Sequence, residues 1–165
     1  MDAGSEFNVV AYGTEALGVM RIEKGHAAGN ELNCQITAQN LGLEKMMSKK
    51  KDFVGNVLSR RSELNKESIV KLVGFKPVNK EIELKAGAHF ISLGKEACTK
   101  NDEGWMSSVA FSPSLNHSIG LGFIKNGNNR IGEIVNAVDP LRKSNIEVEI
   151  VSPHFLDPEG ERLRE

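Results

Sequence analysis

The chain has 165 residues (18.1 kDa), 39% hydrophobic and 26% charged, which is the make-up of one globular domain with room for a core. Lys and Arg number 21 against 22 Asp and Glu, a net charge of −1, so no basic excess draws it to nucleic acid or a membrane. No apolar run is long enough to cross a bilayer as a helix, and two cysteines, Cys34 and Cys98, exclude a disulfide framework and an all-cysteine zinc site. The expected compartment is a reducing cytoplasm.

Gly4-Ser5 followed by Glu6-Phe7 reads as two restriction sites translated in frame. Residues 1–7 are therefore expected to be a cloning scar, and the chain part of something longer. Thr14 to Lys24 is predicted as a helix, with Ala16, Leu17 and Met20 on its buried face, Thr14 as N-cap and Gly25 as the closing glycine. Residues 25–36, rich in Gly, Asn and His, read as a loop. Thr37 is placed to cap a short helical run, Ala38 to Leu43. Asp52 is placed to cap a second helix that buries Phe53, Val57 and Leu58.

Beyond Leu64 the period changes to two. Ile69 to Phe75 is a near-continuous apolar run, as in a buried strand, and Glu81 to Lys85 alternates as a half-buried one. Ala88 to Leu93, Trp105 to Phe111, Ser118 to Ile124, Arg130 to Asn136 and Asn145 to Val151 supply further strands. Ile146, Val148 and Ile150 share one face of the last. Asn126-Gly127 predicts a tight hairpin. The fold class expected is α+β: a short helical segment, residues 8–64, then a small antiparallel β-barrel of about six strands, residues 65–165.

The residues themselves carry no strong catalytic motif. His26, His89, His117 and His154 are scattered without metal spacing, and neither cysteine has a base nearby in sequence. Gly120-x-Gly122 lies inside a strand and reads as a packing feature. Lys49-Lys50-Lys51 with Arg60-Arg61, offset by Asp52 and Glu63, reads as a solvated face. Arg21 follows an apolar helical run. Its guanidinium either forks a planar carboxylate or makes a structural ion pair with Glu23 or another acid.

A resemblance then enters. Tyr12-Gly13-Thr14-Glu15-Ala16-Leu17 and Met20-Arg21-Ile22-Glu23-Lys24-Gly25 resemble a segment of the folate-dependent aminomethyltransferases, the glycine cleavage T-protein family. Thr37-Ala38 with Leu41-Gly42-Leu43 follows in order, Ala38 standing where the family has Pro. Lys51-Asp52-Phe53-Val54-Gly55, Gly104-Trp105-Met106-Ser107-Ser108 and Ser112-Pro113-Ser114-Leu115 continue it. Within the family, Met47 to Phe53, Ala86-Gly87-Ala88-His89 and the ending from Ser152-Pro153 to Arg162 are similar to the α subunit of heterotetrameric sarcosine oxidases.

That resemblance implies a C-terminal part of a flavin oxidase subunit that demethylates sarcosine to glycine. The released carbon would be captured as 5,10-methylenetetrahydrofolate. It implies tetrahydrofolate as cofactor, with Arg21 at the family's folate-binding arginine, touching either the glutamate carboxylate or the pterin edge. The family's catalytic acid and its FAD, FMN and NAD sites are expected outside these residues, so no catalytic or metal-binding residue is assigned and the piece alone is expected to be inactive. The expected partners are the upstream part of its own chain and the other oxidase subunits, with no nucleic acid and no membrane. The alternatives are a glycine cleavage aminomethyltransferase, a relative of dimethylglycine dehydrogenase, or a non-catalytic assembly module.

Overall fold

Period-two alternation dominates the second half of the chain, and there the backbone closes on itself. The computed structural model describes residues 2–66 and 68–164. Six strands, β1 (Val70–Pro77), β2 (His89–Ser92), β3 (Asp102–Ser112), β4 (His117–Lys125), β5 (Ile134–Asp139) and β6 (Ser144–Val151), form a closed antiparallel barrel in the order β1-β4-β3-β2-β5-β6. Pairing of Gly74 with Val151 through Pro77 with Val148 shuts the ring. Closure removes the unpaired edges that an open sheet of this size would expose.

The interior holds Val73, Phe75, Phe90, Met106, Ile124, Val135, Val148 and Ile150, all buried. Ile146, Val148 and Ile150 do share the inner face of β6. Phe75 and Phe90 stack with ring centroids 4.0 Å apart. Gly122 faces this stack. A Cβ there would meet Trp105 O at 2.7 Å and the Phe75 and Phe90 rings at 2.9 and 3.1 Å, so the glycine is a packing device, as its strand setting suggested.

A second cluster lies outside the barrel. Ile119, Leu121 and Phe123 point outward from β4 and pack with Ile22 and Leu72. β4 is therefore covered on both faces, which is why its sequence runs apolar without a clean alternation. Its cover is α1 (Thr14–Glu23), whose last turn delivers Ile22. The tail after β6 straps α1 in place: the N–H groups of Phe155 and Leu156 donate to Glu23 O at 2.9 and 3.0 Å, and Lys24 pairs with Asp157 at 3.0 Å.

Several expectations are corrected. Gly13, not Thr14, is the N-cap of α1, and no side chain caps it. The face Ala16, Leu17, Met20 is exposed, and Ile22 and Glu23 are buried instead, because only the C-terminal turn of α1 reaches β4. Residues 38–43 form turns rather than a helix, although Thr37 Oγ1 does accept from Asn40 N–H at 3.4 Å. The helix expected after Asp52 shrinks to α2 (Asn56–Ser59), capped by Gly55, with Val57 and Leu58 exposed. Asp52 instead accepts from Phe53 N–H and the Asn56 amide.

Glu81 to Lys85 is not a strand. It connects β1 to β2 and buries only Leu84, whose N–H donates to Ser118 Oγ at 3.1 Å. Asn126-Gly127 makes no hairpin, since it leads from β4 to β5 and these are not neighbours. Asn126 takes φ +55° there, and Gly127 is pressed against Val73 and Ile124 side chains.

Candidate functional site

The end of α1 is built to present Arg21. Gly25 at φ +73° follows the last turn, Gly25 N–H donates to Ile22 O at 3.0 Å and His26 N–H to Arg21 O at 2.8 Å. This paired closure satisfies carbonyls that would otherwise be orphaned, and Gly25 was the glycine expected at that place. A Cβ on Gly25 would also strike Pro153 O at 2.5 Å, so the same glycine lets the tail approach.

The loop after Gly25 turns back on itself and delivers a carboxylate. Glu31 N–H donates to Ala28 O at 2.7 Å, and Glu31 Oε2 accepts from Ala28 N–H at 3.0 Å. The Glu31 side chain is fully buried, and Arg21 Nη1 lies 2.9 Å from its Oε2. Of the acids the sequence offered, the partner of Arg21 is thus Glu31. Glu23 turns away and accepts from Ser112 Oγ at 2.5 Å.

β3 supplies the rest through a bulge. Met106 pairs with Gly122 and Ser108 with Leu121, which leaves Ser107 as an extra residue. An extra residue breaks the alternation of a strand, so two successive side chains can serve one site. Ser107 Oγ and Ser108 Oγ lie 2.5 and 2.7 Å from the same oxygen, Glu31 Oε1. Arg21 Nη2 donates to Ser108 Oγ at 2.6 Å, and the Asn30 amide to Ser107 O at 3.2 Å.

Burial pushes the Glu31 carboxyl up. Hydrogen bonds from Ser107, Ser108 and Ala28 N–H, with the Arg21 charge, outweigh it and hold the group below the usual carboxylate range. Glu31 is therefore an anion with every lone-pair direction engaged. Arg21 keeps 20% of its side chain in solvent, and its Nε–H and one Nη2–H have no partner named among the described residues. What the arrangement can do is hold one planar hydrogen-bonding edge in a fixed orientation.

The other candidate residues lie apart. His154 Nδ1 sits 2.9 Å from Lys24 O and helps hold the tail, while Arg162 is exposed. His117 is buried with Nδ1 2.8 Å from Ser118 O. His89 Nδ1 lies 2.8 Å from Asp102 Oδ2, and this pair lines a largely apolar cavity of about 320 Å³ with Cys98. Cys98 thus has a base in its cavity that sequence spacing concealed. Arg21 lines neither that cavity nor the one of about 390 Å³ between Gln39 and Asn129.

A closed six-stranded antiparallel barrel, with a helix end fixed to its outside by a buried acid and two serines, defines a small β-barrel domain. The chain belongs to the glycine cleavage T-protein C-terminal barrel domain family, whose model matches residues 71–157, more than half of its length. It is similar to the sarcosine oxidase subunit alpha of Rhizobium meliloti (strain 1021), 38% identical over 164 residues, covering 99% of this chain and 17% of that protein. It is similar also to an aminomethyltransferase of Thermosipho melanesiensis, 31% identical over 90% of this chain and 38% of that protein. Its fold matches the crystal structure of glycine cleavage system aminomethyltransferase T from Bartonella henselae, with TM-score 0.74 over 93% of this chain and 41% of that one at 22% identity. The chain spans a minor part of each of these relatives.

Proposed function

We propose that the chain is the folate-facing C-terminal part of a sarcosine oxidase α subunit. In the whole protein it contributes one wall of the tetrahydrofolate site used during oxidative demethylation of sarcosine to glycine. Tetrahydrofolate, when bound, supplies the nitrogens that take up the methyl carbon as 5,10-methylenetetrahydrofolate. The single observation that carries the reading is the Arg21 side chain: charged, partly exposed, and immobilised by Glu31 and Ser108.

The same geometry favours one of two edges of the cofactor. Arg21 is already neutralised by Glu31 at 2.9 Å, so the pair offers oriented donors without net charge. Oriented neutral donors suit the uncharged acceptor edge of a pterin better than the glutamate carboxylates, which seek an uncompensated cation. In this reading the chain binds and orients, and proton or hydride chemistry belongs to the rest of the protein. The domain division expected from the sequence, residues 8–64 as the end of the folate region and 65–165 as the barrel, fits this division of labour. The upstream chain and the other oxidase subunits are the partners it calls for.

The test is tetrahydrofolate affinity in the intact oxidase subunit that carries this segment. Loss of two hydrogen bonds to a neutral edge, about 0.5–1.5 kcal/mol each, predicts that Arg21→Ala weakens binding by roughly 10- to 100-fold. Arg21→Lys should rescue little, because an ammonium cannot reproduce the fork. Unchanged affinity in Arg21→Ala would remove the folate role.

A further inference from the structure

The barrel wall away from Arg21 carries a cavity of its own. Phe90 and Ala137 point into the core, so His89, Ile91 and Val138 beside them face outward from β2 and β5. His89 and Val138 stand directly opposite each other in the ladder. Ile91 is 4% exposed, yet it belongs to neither core cluster. It lines, with His89, Val138 and the Cys98 of the loop after β2, the cavity of about 320 Å³. β5 is opposite β4 in the ring of six, so this cavity lies across the barrel from α1.

An imidazole, a carboxylate and a thiol share its lining. Asp102 is held at both oxygens: Oδ1 accepts from Gly104 N–H at 3.0 Å, and Oδ2 lies 2.8 Å from His89 Nδ1. A carboxylate only accepts, so the imidazole proton sits on Nδ1 and the lone pair on Nε2. Nε2 makes no hydrogen bond among the described residues, which leaves it to act as a base. Cys98 is a free and exposed thiol. Among the described residues no three His, Cys, Asp or Glu side chains gather so as to hold a metal ion, and the chemistry left to this set is nucleophilic. Asp102 is the one lining residue with a fixed charge, and it is negative, so an uncharged molecule is favoured over an anion.

We infer that this cavity is a modification site, where Cys98 adds to small uncharged α,β-unsaturated carbonyl compounds with His89 as base and Asp102 as its positioning residue. His89 Nε2 takes the thiol proton, directly or through one water. Cys98 Sγ forms a bond to the β-carbon, the π pair of the alkene moves to the α-carbon, and the imidazolium returns the proton there. Nothing leaves and nothing is oxidised or reduced, so the thioether is the sole product. A thiolate is a soft nucleophile suited to such a carbon, and Ile91 and Val138 offer apolar contact to the rest of the molecule. Cys34 is exposed as well but does not line this cavity, so the chain carries its own reference thiol.

The experiment follows alkylation of the 165-residue chain by N-phenylmaleimide, with the rate at each cysteine read by peptide mass spectrometry. Cys98 should react at least tenfold faster than Cys34. A maleimide bearing a carboxylate in place of the phenyl group should lose most of that margin. His89→Gln should slow Cys98 at least fivefold and leave Cys34 unchanged. Its loss should be larger at pH 6.5 than at pH 9, where hydroxide replaces the base, a dependence that a merely structural role would not produce. Val138→Glu keeps the imidazole and is the second variant, for use if His89→Gln disturbs the fold. It should abolish the preference for the uncharged reagent. Equal rates at the two thiols, the same margin with the charged maleimide, or indifference of Cys98 to both variants would each overturn the proposal.

Discussion

Ser107 and Ser108 are adjacent in a β-strand, yet both hydroxyls reach one oxygen of Glu31, at 2.5 and 2.7 Å. Regular alternation would send one of them to the barrel interior. The bulge opposite Leu121 keeps both on the outer side, and so couples the barrel wall to the end of α1. Hydrogen bonds to a buried carboxylate contribute about 1.5–3 kcal/mol each. Ser107→Ala and Ser108→Ala should each destabilise by that amount in urea titrations. Because the two share a partner, the double variant should depart measurably from their sum.

Glu31 also makes stability depend on acidity. Its folded pKa lies below the unfolded one, so its contribution is complete above the ordinary carboxylate range. That contribution is lost as pH falls from about 4.3 through the lower folded value. Acid unfolding of the chain should therefore be steeper than that of Glu31→Gln over this window. The variant itself should be less stable at pH 7 by about 3 kcal/mol, the lower end of what breaking a buried ion pair costs, since Arg21 retains some solvent. Identical acid slopes for the two proteins would count against the shift.

Gly122→Ala tests the packing of the barrel interior. The added methyl meets a backbone carbonyl and two stacked rings, none of which is the free end of a flexible chain. Overpacking of this kind costs about 1–3 kcal/mol. A thermal melt should show a lower Tm, whereas Gly18→Ala, with nothing within 4 Å of its Cβ, should hold or raise it.

Opposite faces of α1 should respond differently. Ile22 is buried under β4, and truncation to Ala should cost about 2–5 kcal/mol. Leu17 is 51% exposed, and Leu17→Ser should stay within about 0.5 kcal/mol. Val9, Val10, Tyr12 and Met20 are exposed near it. If that apolar side drives self-association, light scattering of the parent chain should rise with concentration and that of Leu17→Ser should rise less.

Much of the barrel was legible in the sequence. Ile146, Val148 and Ile150 alternate with Glu147 and Glu149, because one face of β6 meets the core and the other meets water. The run from Ser118 to Ile124 could be recognised as a strand for the opposite reason: both of its faces are covered. Glu81 to Lys85 alternates just as well and failed, since alternation supplies only a candidate face. A strand also needs a neighbour to pair with, and none adjoins that segment. The first half was read less well. Val57, 82% exposed, sits on an apolar pattern that none of the described residues covers.

Arg21 stood out from its place after an apolar helical run, and the sequence by itself determined that a cation stands at that helix end, with a carboxylate fork and a structural ion pair both open to it. Glu31, ten residues on in a loop, carried no signal. A carboxylate becomes a buried partner only when a turn, a bulge and a helix end converge on it. Local sequence sets periodicity, caps and turn glycines through short-range sterics and burial. Which acid neutralises the arginine, and which serines hold that acid, depends on contacts 76 and 77 residues apart, and those exist only once the barrel has closed.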